Sequence, residues 1–218
     1  LGGGHSNATQ TYVVLFPLEI TMLLKQKTLI ATAITCLLAS SSASAFHVLK
    51  DEMYSSEESK YQDQKGSSIR DGATLSGTDS TEMVFDVTNL NLGTTETSGH
   101  IKTASTVTVK RGPLQLVHED SSITDVGSLK VDDSYLQVQE GKIQVKEDIS
   151  VNRWIKNAGL IISDDGSIAV VESITNSGEI SAKNGNITAQ SLTNTGKVNV
   201  KSFNVKTVTN RGGDSSIA

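Results

Sequence analysis

Four near-copies of one short motif lie toward the end of this chain. They are Ile155-Lys156-Asn157-Ala158-Gly159, Ile174-Thr175-Asn176-Ser177-Gly178, Leu192-Thr193-Asn194-Thr195-Gly196 and Val208-Thr209-Asn210-Arg211-Gly212. The pattern is aliphatic, polar, Asn, any residue, Gly, and its leading aliphatics stand at positions 155, 174, 192 and 208. A unit this short cannot bury its own apolar face, so it is one turn of a stack rather than a domain. The repeat therefore predicts an all-β parallel β-helix, a β-solenoid.

The local texture agrees. Met83-Val84-Phe85-Asp86-Val87 and Ser105-Thr106-Val107-Thr108-Val109 alternate apolar with polar residues, the period of a strand with one buried face. Each clear repeat carries a second strand signal: Gly166 to Val170, Gly185 to Ala189, and Phe203 to Val205. Ile174, Ile180, Ile187 and Leu192 fall at spacings that let short strands share one interior. Ile123-Thr124-Asp125-Val126-Gly127 reads as a degenerate copy, far enough before Ile155 to leave space for two of the shortest turns. At about 4.8 Å per turn, residues 120–218 predict a rod of roughly 25–30 Å. Gly is expected where corners need positive φ. The repeated Asn157, Asn176, Asn194 and Asn210 read either as a row of ligands or as a structural amide ladder, and repetition in solenoids favours the ladder.

The N-terminal part divides by composition. Residues 22–45 read as a signal peptide: a basic start at Lys25 and Lys27, an apolar run from Thr28 to Leu38, and the small residues Ala43-Ser44-Ala45. That run is too short to span a bilayer, which needs roughly 20 residues. The only cysteine, Cys36, falls inside it, so a chain cut after Ala45 has no thiol chemistry and no disulfide. Residues 1–21 read as an upstream extension foreign to the native protein. Residues 46–80 are polar and read as a poorly ordered leader or cap, with room for a short helix near 51–64. Residues 81–218 are assigned to the solenoid, with an expected truncation because the last repeat stops at Ile217-Ala218. An open last turn also raises end-to-end self-association.

Catalysis and cofactors find little support in the residues. His47, His100 and His118 sit in unrelated contexts, and no metalloprotease, serine-hydrolase or phosphate-loop motif is present. The carboxylate pairs Glu119-Asp120, Asp132-Asp133 and Asp164-Asp165 read as turn sequences, since adjacent strand residues point to opposite faces. No catalytic residue, cofactor or metal ligand is assigned. The aromatic candidates for stacking on a sugar are Tyr135 and Trp154. After removal of residues 1–45 the chain has 17 basic and 23 acidic residues, interspersed, which disfavours nucleic-acid binding and adhesion to anionic lipid.

Ile174-Thr175-Asn176-Ser177-Gly178-Glu179-Ile180 and Leu192-Thr193-Asn194-Thr195-Gly196-Lys197-Val198 resemble the repeats of filamentous-haemagglutinin-like bacterial adhesins. The resemblance covers roughly residues 120–218. It implies a right-handed parallel β-helix, secreted or displayed on a bacterial surface, that attaches to host or neighbouring cells or to their glycans. The secretion domain that follows the signal peptide in that family is not found. Two alternatives remain: a lyase-like or carbohydrate-binding β-helix acting on acidic polysaccharides, and a polymer-forming scaffold resembling the bactofilins.

Overall fold

The computed structural model describes residues 45–55, 61–64, 66–78, 80, 82–212 and 216–218. The upstream extension, the signal peptide up to Ser44 and Cys36 lie outside the described residues. From Phe46 onward the chain is a parallel β-solenoid of about eight turns. Each complete turn places one strand in each of three stacks.

Sheet I begins at Phe46–Val48 and continues through Ser67–Ile69, Leu90–Leu92, Leu114–Leu116, Leu136–Val138, Trp154–Asn157 and Ser173–Asn176. It ends on the segments starting at Ser191 and Thr207. Sheet II runs from Glu52–Met53 and Ala73–Ser76 to Leu160–Ser163 and closes on Ser216–Ile217. Sheet III runs from Gln62–Gln64 and Met83–Val87 to Ile168–Val170, then to the segments around Ile187 and Phe203. In the last turns the strands Glu179–Asn194 and Lys197–Asn210 bend around the corners without interruption.

Register follows the period of two. Leu114, Leu136, Ile155, Ile174 and Leu192 stack on one another and are almost wholly buried. Ile149, Ile168 and Ile187 do the same in sheet III. Each such side chain contributes about 1.5–3 kcal/mol on leaving water. The intervening residues face outward, so a one-residue slip would invert the whole interior.

Strands begin at Phe46, inside the segment expected to be leader or cap. Residues 46–76 supply strands that pair in register with the turns that follow. Glu52–Met53 and Gln62–Gln64 stand where a short helix was expected. The segment reads as polar because its interior is filled by a few aromatics rather than a row of aliphatics. Phe46, Tyr54, Tyr61 and Phe85 cluster with ring centroids 4.7–6.2 Å apart.

The degenerate copy at Ile123 also sits differently from expectation. Ile123 pairs with Ile101 and Ile143 in sheet II, whereas the counterpart of Ile155 one turn earlier is Leu136 in sheet I. The turns contract along the chain, from the long step between Leu90 and its partner Leu114 to the short one between Asn194 and Asn210. The last turn is open. Phe203 is 36% exposed and Val208 46%, whereas Ile187 and Leu192 one turn earlier are buried. Ser216–Ile217 covers the sheet II edge, and among the described residues no strand pairs beyond the segments at Phe203 and Val208.

Candidate functional site

The repeated asparagines stand inside the solenoid. Asn157, Asn176 and Asn194 are buried and occupy one register position in sheet I. Asn157 Nδ2 donates to Asn176 Oδ1 at 2.8 Å, Asn176 Nδ2 to Asn194 Oδ1 at 2.7 Å, and Asn194 Nδ2 to Asn210 Oδ1 at 2.8 Å. Each amide also reaches the carbonyl of the Gly two positions on, and a carbonyl in the following turn: Glu179, Lys197 and Ser216 in order. The ladder therefore ties each corner to the next turn, and none of the three buried amides is presented to an external ligand. It begins abruptly. The position before Asn157 is Val138, which offers no donor, so Asn157 Oδ1 is buried without a partner.

The repeat glycines stack as well, for a reason other than the expected positive φ. Only Gly212 of the four has one, at 102°. A Cβ at Gly178 would lie 2.0 Å from the carbonyl oxygen of Gly159, and one at Gly196 2.1 Å from that of Gly178. Close approach of successive backbones selects glycine here.

The three carboxylate pairs are separated by the fold. Glu119-Asp120 occupies a corner between sheets I and II, Asp164-Asp165 one between II and III, and Asp132-Asp133 one between III and I. Each is held locally. Gln144 Nε2 donates to both oxygens of Asp164 (3.2 and 3.0 Å), and Asn184 Nδ2 donates to Asp165 Oδ1 at 3.1 Å. Asp133 has φ 56°, the left-handed conformation of a turn. Among the described residues no three His, Cys, Asp or Glu side chains converge to hold a metal.

The histidines are placed on two sheets and a corner. His47 Nδ1 lies 2.8 Å from Ser68 Oγ on the outer face of sheet I, and His118 Nδ1 lies 3.8 Å from Asp120 Oδ2 at a corner. His100, on sheet II, lies between Ser122 Oγ (2.9 Å from Nδ1) and Ser98 Oγ (3.3 Å from Nε2). Burial holds its pKa below the usual 6.5, against the opposing pull of Asp120 and Asp51. A serine–base unit needs a third group orienting the imidazole. Here both ring nitrogens face serine hydroxyls, and among the described residues no carboxylate bonds to either.

Tyr135 and Trp154, on successive turns, are brought together. Their rings stack at 3.9 Å with an interplanar angle of 8°, on the outer edge of sheet I. Gln115 Nε2 donates to Tyr135 Oη at 3.3 Å from the turn before. Both this stack and the His100–Ser122 contact follow from register. The signal was available, since Tyr135 and Trp154 each precede a stacked aliphatic, Leu136 and Ile155.

The chain matches no protein-family model, no curated protein and no solved structure. Fold and interior together define a class, a three-sheet parallel β-solenoid with an internal asparagine ladder.

Proposed function

We propose that this protein is an exported structural or adhesive β-solenoid, displayed at or released from a bacterial surface and acting without catalysis. The observation that carries the reading is the division of labour across the fold. The repeated Asn and Gly residues hold turn to turn from within, while outward residues such as Lys156 and Thr175 face solvent. The carboxylate pairs, which a polysaccharide-cleaving enzyme would need in one cleft, stand at three different corners. The resemblance to haemagglutinin-like repeats supports the adhesive form, with host cells, neighbouring cells or their glycans as partners. Purified protein fixed to beads should retain cells in a dose-dependent way. Release of unsaturated products from acidic polysaccharides would contradict the non-catalytic reading.

A second role is end-to-end self-association through the face of the last described turn. There Phe203 and Val208 expose apolar surface, and among the described residues no strand pairs beyond their segments, the arrangement that recruits another strand. Val208→Asp should shift purified protein toward monomer in sedimentation. An identical distribution for both proteins would remove this role.

A further inference from the structure

The outer surface of sheet I is polar and almost uncharged along its strands. Its outward strand residues are His47, Ser68, Asn91, Gln115 and Gln137 in the early turns, then Trp154 and Lys156, Ser173 and Thr175, Ser191 and Thr193, and Thr207 and Thr209. None carries a carboxylate, although the chain as a whole has net charge −5. Lys156 is exposed and makes no ion pair among the described residues.

Beside Lys156 the indole of Trp154 is only half buried. One ring face is covered by Tyr135, which is itself fixed by Gln115. On the other side the in-register neighbour is Ser173, followed by Ser191 and Thr207. Successive turns stand about 4.8 Å apart, and a hydroxymethyl group reaches across little of an indole. The aromatic stack therefore ends on an open face above a ledge of small hydroxyl residues. The carboxylate nearest in sequence, Glu172 at the adjoining corner, is engaged by Arg153 at 3.8 Å.

We propose that Trp154, with Lys156 and the hydroxyls of Ser173 and Thr175, forms a binding subsite for a uronate-bearing polysaccharide. The C–H face of one pyranose lies on the free face of the indole, whose electron-rich surface attracts those hydrogens. Its carboxylate meets the Lys156 ammonium, and its hydroxyls meet Ser173 and Thr175. The Gln115–Tyr135 contact keeps the platform rigid, so little ordering entropy is lost on binding. This assignment deepens the adhesive reading and rests on it, since it names the ligand class that the surface would hold.

Trp154 is the only tryptophan in the chain, so its emission reports on this position alone. The intact protein is titrated with oligogalacturonate at low salt, with a neutral cello-oligosaccharide in parallel. The expected result is a saturable change in emission with the uronate, weakening as salt rises. Lys156→Gln should reduce affinity about threefold to fivefold, the size of one exposed charge contact. Ser173→Tyr should extend the aromatic stack over the free face and abolish the response. Trp154→Ala, followed by calorimetry, should lose roughly tenfold, one aromatic contact. No emission change with the uronate, a full response in Ser173→Tyr, or an equal response to the neutral sugar would each overturn the assignment. Cell retention unchanged in Trp154→Ala would sink this site and leave adhesion standing. Saccharide binding without cell retention would do the reverse.

Discussion

The turns that start at Phe46 and Ser67 and those that start at Ile155 and Ile174 enclose the same three-sided interior by different means. The first turn is long, 21 residues from His47 to Ser68, and rings occupy its interior. Phe46, Tyr54, Tyr61 and Phe85 fill it. The Tyr54 hydroxyl donates to the Val84 carbonyl (3.0 Å) and accepts from the Val84 amide (2.9 Å), standing in for strand pairing at that point. The late turns are 19 to 16 residues long, and their buried interior is lined by aliphatics and amides. They place a polar amide inside and satisfy its donor along the stack; at the start of the ladder the buried Asn157 Oδ1 alone of the three lacks a partner. A wide coil gains stability from apolar volume, and a narrow one from repetition, because a buried amide is tolerable only when the next turn supplies its partners.

This contrast predicts a graded set of effects. The largest belongs to Gly178→Ala, whose methyl would meet the Gly159 carbonyl oxygen at 2.0 Å. It should cost about 3 kcal/mol or more, read by chemical denaturation, with the late turns lost first. Asn176→Ala comes next. It removes the donor to Asn194 Oδ1 and the acceptor of Asn157 Nδ2, for about 2–3 kcal/mol by the same measurement. Asn176→Val should cost less, since Val138 already fills the equivalent place one turn before the ladder begins. Tyr54→Phe removes the hydroxyl that bonds both backbone groups of Val84 and should cost about 1–2 kcal/mol, confined to the early turns. An early-turn variant that melts the Asn ladder first would break the comparison.

Smaller still are the pH effects, and their signs differ. Burial raises the Tyr54 pKa above the usual 10.0, so its contribution is present below that value and lost as pH rises through the raised one. Alkaline unfolding should start in the early turns, and Tyr54→Phe should remove that component. Burial lowers the His100 pKa below 6.5, so its contribution is present above 6.5 and lost as pH falls through the lowered value. His100→Gln should flatten the acid limb of a thermal-melting profile.

Fold class was legible because the Asn-x-Gly units repeat at nearly constant spacing and their aliphatics stack in register. The early turns were not, because their interior depends on four aromatics separated by polar sequence. Contraction of the turns hid the true counterpart of Ile155 as well. Extrapolating the shortest spacing leads to Ile123, on a different sheet, while the partner one turn back is Leu136. The glycine stack was visible as residue type but not as mechanism, since close backbone approach and positive φ select the same residue. The candidate sugar platform was legible only as its parts. Trp154 and Tyr135 are adjacent only once the turn length between them is known.

The central claim is that the repeated asparagines are an internal ladder rather than a surface row. Exchange of their side-chain amide protons, followed residue by residue by NMR, tests it most directly. The Nδ2 protons of Asn157, Asn176 and Asn194 should exchange far more slowly than those of exposed Asn152 and Asn204, and show contacts from each turn to the next. Exchange of all five at the rate of a free amide would contradict the account.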